Sequence, residues 1–275
     1  METTALPRLI ARPSRAQRIW QAAQGVVVPV ATLIAVIAIW EALARTLSLP
    51  AYLLPAPSRI LIELNNVSSH LLPNIMATLT TVLLGFVASI VVAIPLAIAI
   101  SASPWVARAI YPLLLVTQST PIIAIAPILV VMAGTGQLSR TLVTFLIAFF
   151  PLLVSTVTGL LATPKETVDL ARALRMSFWQ ELRFIRMPTA IPFIFSGLRV
   201  AISLSVIGAV VAEFVTANAG LGYLITQSTA FFNVPLAFGA VILLAIMGIT
   251  LFGCVVLAER LLFPWSVSSD RTTRE

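Results

Sequence analysis

The side chains that most often carry catalysis or bind metals are scarce in this 275-residue chain. It holds one histidine (His70), one cysteine (Cys254) and one lysine (Lys165). A zinc site needs several Cys, His or carboxylate ligands close together, and a disulfide needs two cysteines. His70 has no nucleophile motif beside it, so a Ser-His-Asp triad is not indicated. The sequence therefore predicts no catalytic residue and no metal site.

The single lysine also bears on nucleotide hydrolysis. A P-loop requires Gly-Lys-Ser/Thr after a glycine-rich turn, whereas this lysine stands in Pro164-Lys165-Glu166. The chain cannot hydrolyse ATP by that route. We therefore expect that it is not an enzyme and that it holds no cofactor of its own.

The composition is that of a membrane protein. Hydrophobic residues make up 59% of the chain and charged residues 10%, and the mean hydropathy is +1.04. A soluble domain carries about 25% charged residues. The net charge of +7 is interpreted as a signal of membrane topology, and we expect no nucleic-acid partner.

Six charge-poor runs are long enough to contain a membrane span of about 20 residues. They are residues 19–40, parts of 71–107 and of 109–139, 141–162, 188–212 and 234–258. The sequence predicts an all-α polytopic protein with six transmembrane helices. Its transmembrane domain covers residues 19–265, between a cytoplasmic segment 1–18 and a cytoplasmic tail 266–275.

Lysine and arginine placement predicts the orientation. With a cytoplasmic N-terminus, thirteen basic residues fall on the inner side and three, Arg45, Arg59 and Arg140, on the outer side. Both termini are therefore predicted to be cytoplasmic. The first run exceeds the apolar core of a signal peptide, which favours a retained signal-anchor over a cleaved leader. On the outer side, Ser58 is predicted to cap a short amphipathic helix.

The connection at residues 164–188 carries both charge signs and a helical pattern. Four charged residues at intervals of three would line one helix face: Glu166, Asp169, Arg172 and Arg175. The adjacent face would carry Leu170, Leu174 and Phe178, with Trp179 beside it. Two explanations remain open, namely a surface for a partner protein and a loop helix packed on its own spans.

This loop resembles the EAA loop of permease subunits of bacterial ABC importers. The family pattern is Glu-Ala-Ala, three residues, Gly, nine residues, then Ile-any-Leu-Pro. Here it reads Asp169-Leu170-Ala171, Arg175 and Ile185-Arg186-Met187-Pro188, with the same spacing. Arg175 replaces a glycine that lies, in the family, at the bend between two short coupling helices. The geometry of that bend is therefore open.

The resemblance extends over about residues 54–265 and is to the sulfonate, taurine, nitrate and thiamine-precursor branch. It includes Leu54-Pro55-Ala56-Pro57, Gly134-Thr135-Gly136, Ser196-Gly197-Leu198-Arg199 and Gly220-Leu221-Gly222. It implies a type I importer permease fold in the bacterial inner membrane, working as a homodimer. Two separate ATPase subunits would bind ATP and Mg²⁺ and dock on the loop around 169–178. A periplasmic or lipid-anchored binding protein would deliver the substrate.

Polar residues within the spans are candidates for the translocation pathway or its gates. One group of candidates is Gln118, Ser119 and Thr120. Their side chains either hydrogen-bond the backbone carbonyl that Pro121 leaves without a partner, or line the pathway. Arg199 either makes a structural contact near an inner gate or binds the substrate. Glu213 is either capped by the loop 216–222 at the interface or belongs to an outer gate or binding-protein contact.

Relatives in the taurine and sulfonate group often carry Arg where Gln118 stands. The cation-poor stretch therefore favours a small uncharged polar solute, such as a thiamine-precursor pyrimidine, over a sulfonate, taurine or nitrate. A proton-coupled secondary transporter is the main alternative, but it would normally need acidic or histidine relays deep within the spans. An intramembrane enzyme would need a nucleophile with a base or a metal.

Overall fold

The computed structural model describes residues 15–47, 50–119, 121–216 and 218–266, and over these residues the chain is helical with no strand. The helices are α1 (Arg15–Thr46), α2 (Pro57–Asn66), α3 (Ser68–Ala102), α4 (Pro104–Ser119), α5 (Ile122–Ala133), α6 (Gln137–Leu161), α7 (Lys165–Ala173), α8 (Phe178–Glu181), α9 (Met187–Thr216), α10 (Leu221–Ala230) and α11 (Val234–Leu262). A π-helical turn, Leu182–Arg186, joins α8 to α9. The predicted all-α class is confirmed.

Within the described ranges, five helical segments are long and apolar enough to cross a membrane. They are Val27–Thr46 of α1, the whole of α3, α6 and α11, and Phe178–Val215, which includes most of α9. Each of them overlaps one of the predicted spans. The helices run through most of their prolines, because Pro73, Pro95, Pro151 and Pro192 all lie inside continuous helix. The second span accordingly continues past Pro95 and ends at Ala102, just before Pro104.

The third predicted span differs from the prediction, because it is two helices and not one. α4 has 16 residues and α5 has 12, so each is shorter than the roughly 20 residues a full span needs. Pro121 lies between them in an extended conformation. Proline has no N–H to donate and disfavours helical geometry in the residue before it. The chain therefore breaks at this proline.

The centre of the protein is α6, which packs between α3 and α9. Thr144 of α6 meets a glycine on each side. A Cβ added at Gly85 of α3 would overlap the Thr144 side chain, and one at Gly208 of α9 would lie 2.9 Å from the Thr144 Cα. Small residues let helix backbones approach closely in a membrane protein, where no hydrophobic force drives spans together. The helices α3, α6 and α9 therefore form one closely packed unit.

Not every glycine in the spans has this packing role. Gly239 of α11 faces the Leu64 side chain, and a Cβ there would lie 2.7 Å from it. By contrast, a Cβ at Gly248 or Gly253 would meet nothing within 4 Å. Within the single chain, close packing through glycine therefore occurs at Gly85, Gly208 and Gly239, and not at Gly248 or Gly253.

The first helix lies at the periphery, with most of its described side chains exposed. It is joined to α2 by polar contacts, because Glu41 accepts hydrogen bonds from the Ser58 N–H (3.0 Å) and hydroxyl (2.8 Å). Arg45 donates to the same carboxylate. The prediction that Ser58 caps α2 is wrong: the N-cap residue is Ala56, since Pro57 begins the helix. Ser58 instead connects two helices.

Candidate functional site

The connection between α6 and α9 consists of two short helices joined by a sharp bend. α7 ends at Ala173, so Arg175 does not share the helix face of Glu166, Asp169 and Arg172 as predicted. The Met176 N–H donates to the Ala171 carbonyl (3.0 Å), and the Arg175 N–H donates to the Arg172 carbonyl (2.9 Å). These two bonds form the Schellman motif that ends many helices.

Arg175 occupies the left-handed residue of this motif. Its φ is +54°, a region that glycine adopts freely and that costs other residues about 1–2 kcal/mol. The bend left open by the sequence is therefore present with arginine in the place of glycine. The loop keeps the hydrogen bonds of the motif, and the backbone of Arg175 carries the strain.

The segment after the bend is held by a capping box and a buried ion pair. The Ser177 N–H donates to the Gln180 side chain (2.8 Å), and the Gln180 N–H donates to the Ser177 hydroxyl (3.4 Å). The carboxylate of Glu181 lies 2.5 Å from the Arg186 guanidinium, and both side chains are largely buried. A π-helical turn is closed by hydrogen bonds between residues five apart, and Glu181 and Arg186 have this spacing. The π turn thus brings them together on one side.

Against this fixed backbone the loop exposes large apolar side chains. Leu170 is 60% exposed, Leu174 67% and Trp179 71%. Phe178 is 37% exposed and stacks edge-on against Trp179. These four residues are called the loop surface below. Leu170, Leu174 and Trp179 stay mostly exposed in the single chain, which favours the first of the two explanations open from the sequence, a surface for a partner protein.

The remaining residues of the motif hold the loop on the bundle. Ala171 is buried and Ile185 is half-buried, whereas Pro188 is exposed at the start of α9. Asp169 is exposed and lies 3.9 Å from Arg172, a surface pair of little energetic weight. The motif thus divides into residues that support the loop and residues that face outwards.

Glu213 lies at the opposite end of α9 and is 1% exposed. Its Oε2 accepts hydrogen bonds from the Gly222 N–H (2.7 Å) and the Thr78 hydroxyl (3.1 Å). The Thr78 hydroxyl also accepts from the Leu221 N–H (2.7 Å). The carboxylate therefore holds the start of α10 against α3 and α9, as the capping alternative expected.

The two glycines around Leu221 leave room for this carboxylate. A Cβ at Gly220 would lie within 2.5 Å of the Glu213 Oε1, and one at Gly222 would lie 2.9 Å from the Oε2. Gly220 also has a φ of +129° and a ψ of 165°, a region that only glycine readily adopts. We call Glu213, Thr78 and the segment 220–222 the carboxylate clasp.

Arg199 of α9 forms an ion pair with Glu259 near the end of α11. Glu259 is buried, and its Oε1 also accepts a hydrogen bond from the Ser266 hydroxyl (3.1 Å). The structure thus gives Arg199 a contact between two spans. Sequence reasoning missed Glu259, although a charged residue within an apolar span is usually paired and this glutamate could have been matched with Arg199.

The third group of predicted residues falls mainly outside what the structure describes. Thr120 lies outside the described residues, as do the side chains of Gln118 and Ser119, whose backbones end α4. Their placement along a pathway stays a prediction. Within the described part of the chain, no cluster of three or more His, Cys, Asp or Glu residues could hold a metal ion.

A groove of about 590 Å³ opens beside the carboxylate clasp. Among the residues that line it are His70, Asn74, Tyr223, Gln227 and Phe231. The groove and the loop surface lie at opposite ends of the protein, because α9 runs from one to the other.

The chain is similar to several known transport proteins. Residues 85–266 match the family described as "Binding-protein-dependent transport system inner membrane component". The riboflavin transport system permease protein of Chloroflexus aurantiacus is 34% identical over 97% of this chain and 99% of its own length. The formylaminopyrimidine transport permease protein of Halalkalibacterium halodurans is 36% identical over 82% of this chain and 91% of its own.

A more distant relative and a solved structure complete the comparison. The taurine transport system permease protein of Escherichia coli is 26% identical over 90% of this chain and 92% of its own length. The chain is also similar to a chain from inward-facing conformations of the MetNI methionine ABC transporter, with a TM-score of 0.64 and 18% identity. The match covers 71% of this chain and 97% of the transporter chain. The expected type I importer permease-like fold is confirmed by this likeness.

Proposed function

The chain belongs to the family of inner membrane components of binding-protein-dependent transport systems, and from this membership we propose that two copies of it form the translocation pathway of an ABC importer. It is a multi-pass inner-membrane permease subunit. The ATP-hydrolysing activity resides in two separate subunits under this proposal. A binding protein delivers the substrate at the end opposite the loop.

The observation that carries the proposal is the exposed loop surface on a rigid support. Leu174 and Trp179 are exposed to water in the single chain, yet their backbones are held by the Schellman motif, the capping box and the Glu181–Arg186 pair. Aromatic and aliphatic anchors of this kind dominate protein interfaces. A surface ordered before binding also loses little entropy when it docks. These features suit a site that receives an ATPase subunit.

Basic residues support the orientation that docking requires. The loop 164–188 contains Lys165, Arg172, Arg175, Arg183 and Arg186, and such residues accumulate on the cytoplasmic side of membrane proteins. ATP is available on that side. We therefore place the loop surface and both termini in the cytoplasm, and the carboxylate clasp at the outer end.

The substrate we propose is a small, uncharged, nitrogen-containing ring compound, with a thiamine-precursor pyrimidine ahead of sulfonates, taurine and nitrate. Relatives named for the transport of riboflavin and formylaminopyrimidine are 34% and 36% identical over 97% and 82% of this chain. A nitrate import permease of Synechocystis is 32% identical but over only 69% of this chain, and the taurine permease is 26% identical. One charged residue in the described part of the chain supports an uncharged substrate. Arg199 is paired with Glu259, so it has no free charge to attract a sulfonate.

Purification of the tagged chain in mild detergent from its native host tests the class. We expect an ATPase subunit to co-purify at two copies per two permeases. Leu174→Ser should release the ATPase and leave the permease monodisperse. Phe231→Ser removes an apolar side chain that is at least as exposed, at the other end of the protein, and should leave the ATPase bound. A chain that purifies alone, with uptake abolished by an uncoupler at constant ATP, would show a secondary transporter instead.

Competition for uptake into cells or proteoliposomes tests the substrate. Labelled formylaminopyrimidine should be taken up, riboflavin should be tried as a second ring compound, and excess taurine or nitrate should not compete. Uptake of taurine or nitrate without uptake of either ring compound would reject the substrate class. That result would leave the importer assignment intact, because the co-purification measures it independently.

A further inference from the structure

A cavity of about 290 Å³ lies where α6 ends and α7 begins. Its apolar side is formed by Leu160 and Leu161, the last residues of α6, and by Val168. Its polar side is formed by the following residues: Thr163, Lys165, Asp169, Arg172 and Arg186. The translocation pathway and the loop surface include none of the basic residues in this set.

A buried hydroxyl without a partner lines the cavity. Thr163 is 8% exposed, and its Oγ1 is buried with no hydrogen-bond partner. Buried polar groups are nearly always hydrogen-bonded, so this hydroxyl can serve a ligand. The adjacent α7 starts after Pro164 with no side-chain cap. The first N–H groups of a helix have no partner within it and attract anions.

The charges around the cavity favour an anion. Arg186 is already paired with the Glu181 carboxylate at 2.5 Å. Arg172 has only the exposed contact with Asp169 at 3.9 Å, and no ion pair involves Lys165 in the part of the chain that the structure describes. Glu166 also lies in the first turn of α7 but does not line the cavity. Three cations and one carboxylate, that of Asp169, therefore line the cavity. Because Arg186 is paired with Glu181, Lys165 and Arg172 are the two cations available to an anion.

We propose that this cavity binds the phosphate group of an anionic phospholipid. Val154, Thr158 and Leu161 are exposed at intervals of four and three residues, so they form one stripe on α6 that ends at the cavity. Acyl chains lie along this stripe when the phosphate occupies the cavity. A free phosphate ion would leave the stripe unused. Basic pockets beside spans on the cytoplasmic side suit anionic lipid headgroups in general.

The lipid and the ATPase use different faces of α7. Lys165, Asp169 and Arg172 recur at intervals of four and three and share one face. At 3.6 residues per turn, Leu170 and Leu174 lie on roughly the opposite side of the helix. The proposal goes beyond the importer function and does not rest on the substrate or on the ATPase.

Native mass spectrometry of the full chain in detergent, titrated with phosphatidylglycerol, tests the site. Lys165→Gln and Arg172→Gln should each weaken phosphatidylglycerol binding about fivefold, and the double variant more than either. Thr163→Val keeps the side-chain shape and should cause a smaller loss, about threefold. Arg183→Gln removes one charge from the same loop outside the cavity and should change binding less than twofold.

Phosphatidylcholine and inorganic phosphate distinguish the sources of the phosphate group. We expect phosphatidylcholine to bind more weakly and millimolar phosphate to leave bound phosphatidylglycerol in place. Equal losses in Lys165→Gln and Arg183→Gln would overturn the site. Displacement of the lipid by phosphate, or equal binding of both lipids, would overturn the lipid assignment. The exposed lysine and arginine variants keep the test valid if Thr163→Val fails to fold.

Discussion

Replacement of Gly220 by alanine is the sharpest test of the carboxylate clasp. The added Cβ would lie within 2.5 Å of the Glu213 Oε1, so either the carboxylate or the segment 220–222 must move. The φ of +129° adds backbone strain, because L-residues rarely adopt this region. Movement of the carboxylate would weaken its hydrogen bonds from Gly222 and Thr78.

The expected loss of stability follows from these two parts. The strained backbone costs about 1–3 kcal/mol, and one weakened hydrogen bond to a buried carboxylate costs about 1.5–3 kcal/mol. Alanine lowers the entropy of the unfolded chain and offsets about 0.4–1 kcal/mol. The net destabilisation is about 1.5–5.5 kcal/mol, which at about 2 °C per kcal/mol corresponds to a fall of about 3–11 °C in the melting midpoint at this chain length.

Two other glycines provide matched controls. Gly134 has a φ of +80° and a ψ of 178°, in the same region of backbone conformation, but a Cβ there would meet nothing within 4 Å. Gly134→Ala should therefore show the strain without the clash, and after the same entropy offset the midpoint should fall by no more than about 5 °C. Gly248 lies inside α11 with open space around it. Gly248→Ala should leave the midpoint unchanged or slightly higher.

The assay is thermal unfolding of the tagged chain in detergent, followed by the loss of the monodisperse peak in size-exclusion chromatography. The order of the three midpoints is the result that matters. Equal falls for Gly220→Ala and Gly134→Ala would refute the contribution of the carboxylate contact. The double variant Glu213→Ala/Gly220→Ala gives a second check. It should be less unstable than the sum of the single variants, because the clash is absent.

Three further changes test other parts of the structure in the same thermal assay. Arg175→Gly should raise the midpoint by about 1–2 °C by relieving the left-handed strain, whereas Arg175→Val should lower it. Arg199→Ala should cost about 3–5 kcal/mol, because it leaves the buried Glu259 carboxylate unpaired. Glu259→Ala should cost less, because the Arg199 side chain is 29% exposed, and the double variant should cost less than the sum of the two. Gly85→Val should destabilise the α3–α6 contact by about 1–3 kcal/mol through overpacking.

The long spans could be predicted from the sequence because a bilayer imposes a simple rule. A span needs about 20 apolar residues whatever its neighbours are, so the five long helices appear as charge-poor runs. The break at Pro121 could not be placed in the same way. Pro95 and Pro151 lie inside continuous helices, so a proline alone does not show whether a helix bends, continues or ends. Neighbouring helices decide that, and they are not visible in a single run of residues.

The polar contacts were predicted less well, for two physical reasons. The pair of Glu181 and Arg186 depends on a π-helical turn, and the usual search for charges three or four residues apart passes over a spacing of five. The pair of Arg199 and Glu259 joins residues 60 positions apart, which only the packing of α9 on α11 brings together. Local patterns thus indicate which side chains face outwards but not which distant groups they meet.

The distribution of contacts along α9 bears on how the proposed importer moves. This helix of 30 residues is about 45 Å long. At one end the π turn and the Glu181–Arg186 pair join it to the loop surface, and at the other the carboxylate clasp joins it to α10. Between them, packing at Gly208 holds α9 against α6. A displacement imposed on the loop by an ATPase would therefore move α9 together with α6. The carboxylate clasp would transfer the movement to the opposite end, where the proposed function has a binding protein deliver the substrate.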